Sequence, residues 1–138
     1  MAAKKAKEQK SNVVVADFGQ PNSEPQWKFF LSKAKYTCYG GARGGGKSWC
    51  TQRKSVGGCL RYPGLRVLII RRRYEDLENS VMEPILKLVD RQTAVFHATK
   101  RVLEFCNGSY IRFGNMESYD SAVSGKYQGQ EYDWIFLE

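Results

Sequence analysis

Apolar positions along the chain change period several times, and each change marks a predicted element. Residues 26–34, QWKFFLSKA, put Trp27, Phe30 and Leu31 on one side of a short helix. Residues 36–40, YTCYG, are β-prone and run into glycines. From Lys47 to about Arg61 a second helix is predicted, with Cys50, Val56 and Leu60 inward. Gly57-Gly58 weakens that helix locally and marks a place for close packing on a sheet, and Tyr62-Pro63-Gly64 ends it. RVLII (66–70) is a continuous apolar run, the pattern of a parallel strand buried on both faces. Leu77, Val81, Ile85 and Leu88 then recur at helical spacing over 75–89, where Pro84 should kink the helix or begin its second half. RVLEF and SYIRF flank Cys106-Asn107-Gly108, and Asn-Gly predicts a type I′ hairpin. YDWIFLE (132–138) reads as an apolar strand ending in an acid.

The order is strand, glycine loop, helix, strand, helix, hairpin, strand, which predicts an α/β fold. The right-handed crossover rule places the helices on the faces of a mostly parallel sheet. Residues 1–23 differ from the rest. MAAKKAKEQK is lysine-rich, one apolar patch follows at Val13-Val14-Val15, and PNSEP (21–25) punctuates the segment with two prolines. A flexible basic tail is predicted there, and no repeat is visible beyond it.

Composition narrows the picture. The chain has 138 residues, enough for one modest domain or part of a larger one. Hydrophobic residues make up 42% and aromatics 13%, which argues for a packed core. The net charge of +8 suits polyanionic partners, nucleic acid or nucleotide phosphates, and is equally explained by a solvated basic surface. Cysteines fall at 38, 50, 59 and 106, with no CxxC pair and no zinc-ligand spacing to the single histidine, His97. Reduced, mostly buried thiols are expected, and His97 is read as structural. No run nears the roughly 18 apolar residues of a membrane span, and no secretory signal is apparent.

The chemistry concentrates at YGGARGGGKSW (39–49). Gly41-Ala42-Arg43-Gly44-Gly45-Gly46-Lys47-Ser48 matches G-x-x-x-x-G-K-[ST]. Glycines let the backbone curl around a phosphate with its N–H groups inward. The following helix aims its N-terminal dipole at the same anion. Lys47 supplies a charge for the β- and γ-phosphates of ATP, and Ser48 a hydroxyl for Mg²⁺. Such a site needs an acid at the end of a neighbouring strand, and WIFLE ends in Glu138.

These residues together resemble the large terminase subunit of tailed bacteriophages, the DNA-packaging motor. The resemblance runs from about Pro25 to Glu138 through PQWKFFLSKAKY, GGARGGGKS, YPGLRVLIIRRRYEDLENSV, NGSYIRFGN and YQGQEYDWIFLE. It implies a P-loop NTPase fold of the RecA/ASCE type, incomplete here, with 24–138 the N-terminal part of the ATPase domain and truncated at the Walker B strand. It implies that Gln26 contacts the adenine, that Arg43 is a cis-acting arginine at the γ-phosphate, and that Glu138 helps hold Mg²⁺. Catalytic roles accordingly fall to Lys47, Arg43 and Glu138; nucleotide binding to Gln26 and residues 41–48; metal binding to Ser48 and Glu138. The family's catalytic glutamate would follow Glu138, and its nuclease domain is absent, so activity is expected of the intact parent rather than of this chain. The implied partners are double-stranded viral DNA, the portal protein and the small terminase subunit, with a ring formed on the portal. The implied location is the host cytoplasm and, transiently, the procapsid portal, with no secretion.

Other features stay open at this level. Arg71-Arg72-Arg73 follows the second strand and could meet phosphate or DNA, or be neutralised by Glu75, Asp76 and Glu78. Trp27, Phe29 and Phe30 could flank a base beside Gln26 or belong to the core, and Trp49 could face either way. SGKYQGQ (124–130) reads as a loop near the site, and Asp120 and Asp133 have no partner for a metal pair. A helicase-like P-loop ATPase acting on nucleic acid, and a fragment that binds nucleotide or DNA without turnover, are the alternative functions.

Overall fold

The computed structural model describes residues 18–41, 43–117 and 125–138. The lysine-rich tail through Asp17, Ala42, Asp120 and Ser124 lie outside them. The elements in chain order are α1 (Glu24–Leu31), α2 (Lys47–Arg61), β1 (Arg66–Arg71), α3 (Tyr74–Leu77), a π-helical turn (Glu78–Met82), α4 (Glu83–Leu88), β2 (Ala94–His97), β3 (Val102–Phe105), β4 (Tyr110–Asn115) and β5 (Trp134–Leu137). The strands form one mixed sheet in the order β2-β3-β4-β1-β5. β1 is central among the parallel strands, with β4 on one side and β5 on the other, while β2, β3 and β4 pair antiparallel.

The sheet is thus mixed rather than mostly parallel, because the turn at 106–109 returns the chain directly alongside itself. Its helix-packed face carries Val67 and Ile69 of β1, Ile111 and Phe113 of β4, and Leu103 and Phe105 of β3. These meet Val56 and Cys59 of α2 and Leu77, Val81, Met82 and Ile85 of the 74–88 segment. Helices therefore pack on one face among the described residues, not on both as expected. The other face carries Leu68 and Ile70, which are buried, and Ile135 and Leu137, which are exposed.

Helix α2 occupies the predicted span. Gly58 lies so close to β5 that a Cβ there would stand 2.2 Å from the Trp134 ring, whereas Gly57 faces open space. Pro84 begins the second half of the 74–88 helix, as expected, with the π turn just before it.

Five expectations need correction. YTCYG forms no strand: Tyr36 is 84% exposed, and the Tyr39 ring instead stacks on Phe29 at 5.4 Å. On α1 the buried residue is Gln26, while Trp27 and Leu31 are exposed and Phe29 and Phe30 make the contacts. The hairpin is not type I′, which needs left-handed φ at both central residues. Only Gly108 is left-handed, with Gly108 N–H on the Phe105 carbonyl and Phe105 N–H on that of Ser109, a three-residue loop with a glycine bulge. The Asn107 amide is drawn away instead, donating to the Cys59 carbonyl at 2.7 Å. Residues 94–97, not foreseen as a strand, form β2, and His97 meets Glu104 of β3 at 3.2 Å. Finally, only Cys50 and Cys59 are buried; Cys38 and Cys106 are exposed, and all four are free thiols.

The start of β5 is clamped to the start of β1. Asp133 donates its N–H to the Arg66 carbonyl, and its carboxylate accepts from the Arg66 N–H at 2.9 Å and from the guanidinium at 3.1 Å. These bonds hold the Asp133 carboxyl below its ordinary value of 3.8.

Two outcomes follow for stability. Gly57→Ala should stabilise by about 0.5–1 kcal/mol through helix propensity. Gly58→Ala should destabilise by about 1–3 kcal/mol through overpacking. Urea unfolding of the two variants checks this, and equal signs would refute the packing account. A depressed carboxyl contributes stability that is complete above 3.8 and is lost as pH falls through the native value. The stability gap between wild type and Asp133→Asn should therefore be full at pH 7 and shrink on acidification; a gap independent of pH would refute the clamp.

Candidate functional site

The glycine loop reaches α2 through backbone conformations that side chains resist. Gly41, Gly44 and Gly46 have φ of 139°, 87° and 73°. Left-handed backbone costs an ordinary residue about 1–2 kcal/mol, so glycine is required at these turns. Gly46 is also the N-cap of α2, which begins with no side-chain cap. The first turn of a helix so begun offers backbone donors to an outside acceptor. The loop folds on itself at two points: the Lys47 ammonium donates to the Gly41 carbonyl at 3.0 Å, and the Tyr39 hydroxyl to that of Gly45 at 3.0 Å. Tyr39 was not singled out by sequence, since nothing in its spacing marks it.

Glu138 arrives at the same place from the far end of the chain. Its N–H donates to the Ile70 carbonyl at 2.9 Å, which extends β5 along β1. Its carboxylate oxygen Oε2 then accepts the Ser48 hydroxyl at 2.9 Å, across 90 residues of sequence. Both groups are partly buried. A hydroxyl oxygen and a carboxylate side by side are hard donors, suited to Mg²⁺, which keeps most of its waters and takes only one or two protein ligands. The residues present therefore fit Mg²⁺ better than a soft-ligand metal.

Gln26 packs behind the loop. It is 5% exposed, its Oε1 accepts the Asn22 N–H at 2.8 Å, and its Nε2 lies 2.3 Å from where a Cβ on Gly46 would stand. The structure thus places Gln26 at the loop, but with its amide turned to the protein. Helix α1 is held there by Lys54 of α2, whose ammonium donates to the Phe29 carbonyl at 2.6 Å and sits 4.6 Å over the Phe29 ring. Burial lowers the Lys54 pKa and raises that of the adjacent Cys50 thiol.

Arg43 is exposed on the loop beside Gly44, and Gly45 is exposed as well. Seven of the predicted site residues are brought together: Gly41, Gly44, Gly45, Gly46, Lys47, Ser48 and Glu138, with Arg43 at the rim and Gln26 behind. Ala42 lies outside the described residues. Trp27 stands apart, exposed; Phe30 and Trp49 pack edge to face at 6.0 Å, and Arg53 covers Trp49 at 4.9 Å, so both aromatics serve packing. Arg72 and Arg73 are exposed, and among the described residues no ion pair joins them to Glu75, Asp76 or Glu78. Lys126 donates to the Asn115 side chain at the end of β4, which puts part of the 125–130 loop at this end of the sheet. Asp133 serves the β1 clamp at the opposite end.

Comparison of the chain with protein-family models, with curated proteins and with solved structures gives no match. No helix among the described residues is long and apolar enough to cross a membrane.

Gly46 carries two constraints at once. Gly46→Ala should destabilise the fold by roughly 1–2 kcal/mol from its φ alone. Adding Gln26→Ala should recover only the part due to the collision between the two side chains. A urea double-mutant cycle measures this coupling, and full recovery would refute the backbone account.

Proposed function

We propose that the chain is the ATP-binding part of a P-loop NTPase and, within that class, of the DNA-packaging motor formed by the large terminase subunit of tailed phages. The observation that carries this reading is the Ser48 hydroxyl on the Glu138 carboxylate at 2.9 Å. A phosphate-loop sequence alone needs only a flexible turn. Meeting an acid at the end of a parallel strand is a separate requirement, and this fold meets it. The narrower terminase assignment rests on the sequence resemblance.

In this reading the loop amides and the first turn of α2 cradle the β-phosphate, and the Lys47 ammonium exchanges the Gly41 carbonyl for phosphate oxygens. Ser48 and Glu138 would hold Mg²⁺, whose charge would offset that of the phosphates. During hydrolysis a water oxygen bonds to the γ-phosphorus as the bond to the β–γ bridging oxygen breaks. Arg43, which is exposed on the loop, follows charge onto the transferring group in this reading. Gln26 lines the adenine side once its amide turns outward. Double-stranded viral DNA, the portal protein and the small terminase subunit are the partners, with work done at the procapsid portal in the host cytoplasm.

A second reading, nucleotide binding without turnover, is favoured by one feature. The Glu138 carboxylate is the sole acid seen meeting Ser48 among the described residues, whereas turnover also calls for a group that positions the attacking water.

Calorimetry of Mg·ATP binding by this chain, with Lys47→Ala as control, tests the site. Wild type should bind, and the variant should lose about 100-fold in affinity, as expected for a charge-assisted contact to phosphate. Equal affinities would overturn the phosphate-site reading. Phosphate release by this chain with and without double-stranded DNA then separates a motor from a passive binder.

A further inference from the structure

The π-helical turn has a local cause. In an α-helix the Ser80 carbonyl would accept the N–H of residue 84, but residue 84 is proline and has none. The chain widens over Glu78–Met82, with the Glu83 N–H reaching back five residues to the Glu78 carbonyl. The Ser80 carbonyl is met from another element: Gln52 of α2 donates its Nε2 to it at 2.7 Å. Gln52 is 6% exposed, and its Oε1 accepts from the Arg53 guanidinium at 2.5 Å, so the buried amide is satisfied at both ends.

The Ser80 side chain continues the line. Its hydroxyl donates to the Asp76 carbonyl and accepts from the Arg71 guanidinium at the end of β1. Arg71 neighbours Ile70, whose carbonyl holds the Glu138 N–H. Glu138 in turn accepts the Ser48 hydroxyl, and Ser48 is one helical turn from Gln52 on the same side of α2. The circuit Ser48, Glu138, β1, Arg71, Ser80, Gln52 closes through α2, and Ser48 joins it to the glycine loop.

Building on the nucleotide-site reading above, we propose that Gln52 is a positioning residue that couples the glycine loop to the π-helical turn. Nucleotide at the loop parts Ser48 from Glu138, α2 and the end of β1 resettle, and the change reaches residues 78–85 through Gln52 and Arg71. The exposed Arg72 and Arg73, next along the chain, are thereby placed under the control of the site.

Hydrogen exchange of residues 78–85 in the whole chain, with and without Mg·ATP, reads the coupling. Wild type should change its exchange there by about threefold or more on binding. Gln52→Leu should lose that response and bind Mg·ATP about fivefold more weakly, the effect of one hydrogen bond. Pro84→Ala restores an N–H for the Ser80 carbonyl, so Gln52→Leu combined with Pro84→Ala should regain stability yet not the response. Arg71→Met breaks the line at its other end and should also lose the response. Should Gln52→Leu keep the response, or the double variant regain it with stability, Gln52 is structural and the coupling is overturned. Binding of Mg·ATP by wild type with no response at 78–85 overturns the coupling alone. Absence of binding overturns both it and the nucleotide-site reading.

Discussion

Helix α2 must lie along β5 closely enough for Ser48 to reach Glu138, and much of the molecule is arranged around that constraint. The helix touches the strand at both ends. Gly58 meets Trp134 near the C-terminal end of the helix, and Ser48 meets Glu138 at its N-terminal end. Ten helical residues rise about 15 Å, and the four steps from Trp134 to Glu138 extend about 13 Å. The two elements run antiparallel and match in length. A side chain at 58 would lift the helix from the strand and withdraw the hydroxyl from the acid. The strand is equally constrained, since the Arg66–Asp133 clamp at one end and the Glu138–Ile70 bond at the other set its register on β1.

The same helix carries an unusual load of buried polar groups for one that covers a sheet. Thr51, Gln52 and Ser55 are buried beside Cys50, Val56 and Cys59. Ser55 is satisfied within the helix by the Thr51 and Gln52 carbonyls. The Gln52 Nε2 is satisfied outside it, by the carbonyl that Pro84 leaves without an N–H. An unpaired buried amide costs about 1–3 kcal/mol. The polar side chain and the proline 32 positions later therefore make sense only as a pair. This pairing gives the helix a fixed rotational setting, which apolar contacts alone would leave softer.

The two faces of the sheet differ. One is filled by α2 and the 74–88 segment. On the other, Tyr127 lies across Gly114, where a Cβ would stand 2.1 Å from its hydroxyl, and donates to the Asn115 carbonyl at 3.2 Å. Ile135 and Leu137 on that face are 56% and 75% exposed. The alternation of β5 is thus apolar on both sides while only one side is covered. That is why YDWIFLE reads in the sequence simply as an apolar strand, with no alternation to tell the covered side from the open one.

The amino-acid sequence by itself determined the elements whose cause is local: the span of α2, the apolar run of β1, the glycine loop with its left-handed turns, and the break at Pro84. It also brought the loop, Lys47, Ser48 and Glu138 into one expected site. Tertiary structure decided the rest. Tyr36–Gly40 has strand propensity, yet stays unpaired because the Tyr39 ring and hydroxyl are engaged by Phe29 and Gly45. Asn-Gly favours a two-residue turn, yet the Asn107 amide is drawn to the end of α2. Gln52 looks like any solvent-facing helix residue until Ser80 is set against it. In each case a partner distant in sequence supplies a bond or a packing surface whose free energy exceeds the local preference, and the sequence pattern does not record which distant groups will meet.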